Sequence, residues 1–446
     1  MNSGTGSDRQ LLLFRQDPYI FIYLLYGFHL IIMELVQGNI KESILPPHED
    51  DIISTMPENV ITNILHCLPI RDAVRTGILS RDWRFKWTKL TQLVFDYNFF
   101  YDPLDIRLEY YFSKVIPKLL LHLNAAITKF VLFIEDDESF SRFNDEHVND
   151  INNWVMFLSR KGIKEFTLIN RQPRLKLHSH IFSCHGLTHL KLHNCSVCPM
   201  PSFIGFPNLL SLDLSSVVFG SYTCGEFISR CPLLNSLKID FDTTYEIKRS
   251  EIAKLENLKV LSLPLCNLDN MAKFTRSRMF QLMCFFPKLQ ELHLGFKNCK
   301  FLADEINIDA IALSCLKTLE LNGVDFHNSI MVSCVVELIC SSPNLKTLNI
   351  TAASSTKNSP ESLEVNYSRM VQLKLHTVFL ASVKGLESEL CFIKFLLACS
   401  PQLKKMIIST CTTRLFGGDR GAIIFTTKLL KLHRTSPVSE IDFKWY

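Results

Sequence analysis

The feature that most constrains this chain is a recurring L-x-x-L-x-L pattern. It is clearest at Leu187, Leu190 and Leu192, then at Leu209, Leu212 and Leu214, Leu234, Leu237 and Ile239, and Leu258, Leu261 and Leu263. It continues at Leu289, Leu292 and Leu294, Leu316, Leu319 and Leu321, and Leu345, Leu348 and Ile350. Weaker copies stand at Ile127–Phe130–Leu132, Ile163–Phe166–Leu168, Met370–Leu373–Leu375 and Leu403–Met406–Ile408. The clear copies start 22 to 31 residues apart. Each L-x-L is a short strand whose apolar residues face inward at period two. One copy has one apolar face and can bury it only against its neighbours. The segments between copies read as helical returns that often end at a proline, as at 227–232 and 336–343. Strand, helical return and next parallel strand predict an α/β array that curves into a solenoid. A parallel-sheet enzyme would carry a Gly-rich phosphate loop or a nucleophile elbow, and the chain has neither.

A second pattern precedes the array, in residues 51–96. Met56 and Pro57 open a helix, where the missing proline N–H costs nothing. Val60, Ile61, Ile64, Leu65 and Leu68 recur at helical spacing on one face. Pro69 ends that helix, because a residue before proline leaves the α region. A second short helix is expected from about Asp72 to Leu79. A third should carry Trp83 and Trp87, four apart. So small a core cannot bury all these apolar groups, and a partner surface is expected.

The ordered prolines, the Leu79–Ser80–Arg81–Asp82–Trp83–Arg84 element and Trp87 resemble an F-box. That family usually has Leu before the first proline; Met56 is a tolerant apolar substitute. The spacing of the array is similar to that of leucine-rich repeats, about 20–29 residues. Residues 361–446 resemble the FBD domain of plant F-box proteins, through ELCFIKFLL at 389–397, SPQLKKM at 400–406, LLKLHR at 429–434 and SP at 436–437. These resemblances imply an N-terminal extension at 1–50, an F-box at 51–97, leucine-rich repeats at 98–360 and an FBD-like α/β cap at 361–446. They imply a non-catalytic subunit of a cullin–RING ubiquitin ligase, docking on a Skp-type adaptor and through it on a cullin, and holding a protein substrate of unknown identity. Expected adaptor contacts are Met56, Pro57, Ile61, Ile64, Leu65, Leu68, Leu79, Trp83 and Trp87, and truncating Trp83 should weaken that binding. Expected substrate contacts are outward strand positions: His189, Lys191, Ser211, Asp213, Ser236, Lys238, Glu291, His293, Thr318 and Glu320. A repeat scaffold without a ligase role is the alternative.

Composition bears on the remaining classes. Hydrophobic residues make up 47% and charged residues 21%, which argues against long disordered regions. The net charge of +4 is spread without a dense basic run, so no nucleic acid is expected as partner. Fifteen scattered cysteines do not form the framework of a small secreted domain, and reduced thiols in the cytoplasm or nucleus are expected. Cys195 and Cys266 follow their strands at the position where such repeats turn an Asn or Cys into the bend. Cys195 and Cys198 form a C-x-x-C beside His185, His189 and His193, but no second pair completes a zinc site. No constellation activates one thiol for catalysis, and no cofactor is implied. The acidic run at 135–138 reads as a solvated loop. The apolar run at 18–33 is shorter than the roughly 20 residues of a membrane span. It reads as an upstream extension, with Met33 as an alternative start, ahead of a packed helix or an anchor; a membrane location is not expected.

Overall fold

The structure is a computed structural model. It describes residues 56–100, 110–136, 144–220, 224–240, 242–243, 247–269, 273–303, 312–353, 372–410 and 419–445. The apolar run at 18–33, Asp137 and Glu138, and Met370 lie outside the described residues. The chain divides into two compact units, Met1–Lys129 and Phe130–Tyr446.

The first unit begins with helix α1 (Glu58–Cys67), which Pro57 precedes. Its backbone turns at Leu68, as the following proline requires. Helix α2 spans Ile70–Arg75 and tightens into a 3-10 turn at Thr76–Ile78. The second helix therefore starts two residues earlier than expected and does not stay α-helical to Leu79. The expected third helix is absent: Trp83 sits in a turn and Trp87 in a 3-10 segment, Lys86–Lys89. Two local bonds hold the tryptophans there. The Trp83 N–H donates to Ser80 Oγ at 3.3 Å, and Trp87 Nε1–H donates to the Arg84 carbonyl at 3.1 Å. Four-residue spacing thus marks a shared burial site here without marking an α-helix. Strand β1 (Gln92–Phe95), a helical turn at Tyr97–Phe100 and α3 (Ile116–His122) complete the unit. Arg71 is buried between Phe99 and Tyr111, 5.5 and 5.2 Å from the ring centres, and donates to the Tyr111 hydroxyl. A buried guanidinium needs such partners.

In the second unit the main strands stand side by side in chain order. They are β2 (Lys129–Ile134), β3 (Glu165–Asn170), β4 (His189–His193), β5 (Ser211–Ser215), β6 (Ser236–Ile239) and β7 (Val260–Pro264). They continue as β8 (Glu291–Gly295), β9 (Thr318–Val324), β10 (Thr347–Ala352), β11 (Thr377–Ala381), β12 (Lys405–Thr410) and β13 (Glu440–Trp445). Pairing from β3 onward is parallel. Burial alternates along the strands, as in β4, where Leu190 and Leu192 are buried and His189 and Lys191 exposed, and gives way to consecutive buried residues at the ends of β7, β8 and β12. All the described leucines, isoleucines and other apolar residues of the repeat copies are buried. The returns include α4 (Asp145–Ser159), α5 (Cys224–Ser229), α6 (Arg249–Ile252), α7 (Arg276–Met283) and α8 (Ser329–Cys340). Toward the C-terminus come α9 (Glu387–Cys399) and α10 (Asp419–Leu430). After α10 the chain turns and enters β13. Among the described residues no helix is long and apolar enough to cross a membrane.

Candidate functional site

Two surfaces combine the residues that the sequence singled out. The first is on α1 and the segment behind α2. Helical spacing divides the apolar residues of α1 between two sides. Ile61 and Leu65 are buried at 1% and 2% exposure, while Val60 and Ile64 remain 38% and 37% exposed. Beyond α2, Ile78, Leu79 and Phe85 are exposed at 52%, 56% and 49%. Trp83 and Trp87 are buried at 2% and 4%. Of the expected adaptor contacts, Pro57, Ile64 and Leu79 are exposed, Met56 and Leu68 are half-buried, and Ile61, Leu65, Trp83 and Trp87 lie inside the unit. Val60, Ile78 and Phe85 are equally accessible. Val60 carried a sequence signal in its place beside the helix stripe; Ile78 and Phe85 are exposed by turns that no periodicity announces.

Charge fixes α1 against the 3-10 segment. Glu58 takes Lys86 at 2.7 Å and Lys89 at 2.6 Å, and the bonds to Lys86 and then Lys89 hold its carboxyl down at about 2. Glu58 is exposed, so solvent screens these pairs and they orient more than they stabilise. The His66 ring bonds the Thr91 hydroxyl at 3.2 Å, which ties the end of α1 to the chain entering β1.

The second surface is the outward face of the sheet. Register sorts the expected substrate residues into two adjacent rows. His189, Ser211 and Ser236 follow one another in the first row, which Glu291 and Thr318 continue beyond Val260. Lys191, Asp213 and Lys238 begin the second, which reaches His293 and Glu320 through Ser262. The second row then runs on to Asn349, Phe379, Ile407 and Asp442. The strand pattern that found the first residues also marks Ser262, Asn349 and Phe379, which sequence reasoning passed over. Lys191 pairs with Asp213 at 2.9 Å, and Lys405 with Asp442 at 2.9 Å. His293 lies between two carboxylates, with Nδ1 3.2 Å from Glu320 and Nε2 3.9 Å from Glu291. The Nε2 atom is buried without a hydrogen-bond partner. The face is therefore a mosaic of both signs, interrupted by the apolar Phe379 and Ile407 before it reaches Asp442. It suits a surface of mixed polarity rather than a polyanion.

The other candidates fall out differently. Cys195 is fully buried, donates to the His193 carbonyl at 3.3 Å, and burial pushes its thiol up to about 12. Cys198 and His189 are exposed, and His193 is half-buried. Cys266 departs from the inward role expected of it: it is half-buried in a 3-10 turn (Leu265–Asn267), and its free thiol shares a hydrogen bond with Cys299. Glu135, at the start of the acidic run, pairs with Arg171 at 3.0 Å.

Comparison with known proteins gives a consistent picture. A family model for the F-box domain matches residues 53–93. A second model, described as "FBD-associated F-box protein At5g56370, LRR repeats", matches residues 151–279. The Arabidopsis thaliana protein named "F-box/FBD/LRR-repeat protein At1g13570" is 31% identical over 423 residues, 88% of this chain and 98% of that protein. "FBD-associated F-box protein At4g10400" from the same plant is 30% identical over 194 residues, 43% of this chain and 45% of that one. "F-box/LRR-repeat protein 13", also from Arabidopsis, is 27% identical over 253 residues, 55% and 52% of the two chains.

Proposed function

The chain belongs to the F-box/FBD/LRR-repeat family, and on that basis we propose that it is the substrate-recognition subunit of an SCF-type cullin–RING ubiquitin ligase. The observation that carries this reading is the apolar set Val60, Ile64, Ile78, Leu79 and Phe85, left exposed by a unit that buries its tryptophans. A Skp-type adaptor covers that set and brings a cullin with it. The sheet works as a curved solenoid whose outward face holds a protein substrate. Residues 361–446 close its end, because a repeat array needs a cap over its last apolar face. The subunit catalyses nothing itself. It places a substrate lysine near a ubiquitin-charged enzyme, and proximity raises the rate. Such work belongs to the cytoplasm or the nucleus.

The test is co-purification of the full chain with a Skp-type adaptor. The triple substitution Val60→Ala, Ile64→Ala, Leu79→Ala removes exposed side chains, so the fold should stand within about 0.5 kcal/mol per site. Adaptor affinity should fall by roughly 2 kcal/mol or more, the scale of interface hot spots. Trp83→Ala is the wrong probe for contact. It empties a buried site and should cost about 3–5 kcal/mol of stability, so any loss of binding would follow from unfolding. A folded wild type that ignores the adaptor, or a triple variant that still binds it, would leave the repeat scaffold as the better reading.

A further inference from the structure

Fourteen free cysteines are described, and burial separates five of them from any chemistry. Cys184, Cys195 and Cys231 are buried, with thiols pushed up to about 12, 12 and 11, and that of Cys224 is raised further still. A thiol so placed stays protonated and inert. Cys266 and Cys299 differ. Strands β7 and β8 are parallel neighbours, with Pro264 opposite Gly295. Cys266 follows β7 by two residues in the 3-10 turn, and Cys299 follows β8 by four. The two turns leave the same end of these adjacent strands.

Both turns are fixed. The Leu268 N–H donates to the Leu265 carbonyl at 3.1 Å, with Leu265 and Leu268 buried on either side of Cys266. The Cys299 N–H donates to the Phe296 carbonyl at 3.1 Å, after Asn298 at φ 65°. The thiols share a hydrogen bond, and both are half-buried, so a small reagent can reach them.

We propose that Cys266 and Cys299 form a redox-active dithiol, which a hydroperoxide converts into a disulfide linking two neighbouring repeats. The bond from Cys299 to Cys266, helped by the Lys297 ammonium, brings the Cys266 thiol down to about 7, while the same bond and burial raise Cys299. Cys266 is thus the attacking thiolate and Cys299 the resolving thiol. The Cys266 sulfur attacks one peroxide oxygen and the O–O bond breaks. The departing hydroxide takes a proton and leaves as water, and Cys266 becomes a sulfenic acid. Cys299 then attacks the Cys266 sulfur, the S–O bond breaks, and the leaving hydroxyl carries off the Cys299 proton as a second water. Two thiols have lost two electrons and the peroxide has gained them. A thiol reductant reverses the link.

The experiment uses the full chain, fully reduced and then treated with one equivalent of hydrogen peroxide before alkylation and peptide mapping. The expected product is an intramolecular Cys266–Cys299 disulfide, formed ahead of modification at the exposed Cys67, Cys198, Cys284, Cys315 and Cys391 and erased by dithiothreitol. In Cys299→Ser the link disappears and Cys266 accumulates a sulfenic acid that dimedone traps. Phenylarsine oxide, a dithiol probe, should protect the same two cysteines in the untreated wild type, which needs no variant to fold. The proposal fails if the exposed cysteines oxidise while Cys266 and Cys299 both remain open to alkylation. It also fails if either one pairs mainly with another cysteine.

Discussion

Glu389 shows how much one residue's surroundings decide. It is 2% exposed beside Phe326, Ile350, Leu380, Val383, Phe392 and Ile393. Burial pushes its carboxyl up to about 7, although the backbone N–H groups of Leu386, Lys384 and Gly385 and the Lys384 charge pull the other way. The hydrogen bonds to Lys384 and Leu386 are 3.0 and 2.9 Å long. A carboxyl raised above its ordinary 4.5 in the folded state favours folding fully below about pH 4.5. That contribution is lost as pH rises through about 7. The size of the offset corresponds to about 3 kcal/mol at most. Glu389→Gln keeps an acceptor for the N–H groups and removes the titration. Between pH 5 and pH 8 the wild type should therefore lose melting temperature relative to Glu389→Gln. Parallel curves across that range would contradict the assignment. From sequence, Glu389 was one letter in a motif of likeness; its burial became visible only once α9 was packed.

At the scale of elements, spacing and prolines carried most of the information. Helix α1, the stop at Pro69 and nearly all the L-x-L strands formed where periodicity put them, because each pattern has one geometry that buries it. The exception is the copy at Leu373 and Leu375, which are buried outside any strand, while β11 follows at Thr377–Ala381 with Val378 and Leu380 turned inward. Trp83 and Trp87 did not form the helix their spacing suggested, since hydrogen bonds to Ser80 and Arg84 hold turns instead. Helix α8 is the case where a cap decides. It is apolar almost throughout and begins at Asn328, whose side-chain oxygen accepts from the Met331 N–H at 3.0 Å. Asn328→Ala should destabilise the chain by about 1 kcal/mol, read as a lower midpoint in chemical denaturation. An unchanged midpoint would mean that packing of Val332, Val335, Leu338 and Ile339 alone sets the helix start.

Across the whole molecule, the repeat register turns residues far apart in sequence into one row. Lys191, Asp213, Lys238, His293 and Glu320 come from five strands and share one line because every pairing is parallel and in step. A face assembled this way can be rewritten without touching the core. The combined substitution Lys191→Glu, Asp213→Lys, Lys238→Glu should leave melting and adaptor co-purification unchanged and abolish capture of a substrate identified with the wild type. Retained capture would move the substrate surface elsewhere.

The sequence by itself determined the repeat array, all but one of the strand positions read from it, the helical unit ahead of it and the family they compose, because hydrophobic periodicity is a local property that only one arrangement can bury. Tertiary structure alone decided which members of the α1 stripe stay in solvent, which side chains join the outward rows, and that Cys266 meets Cys299. Those outcomes depend on what lies across the neighbouring strand or turn, and distance in space is not written in distance along the chain.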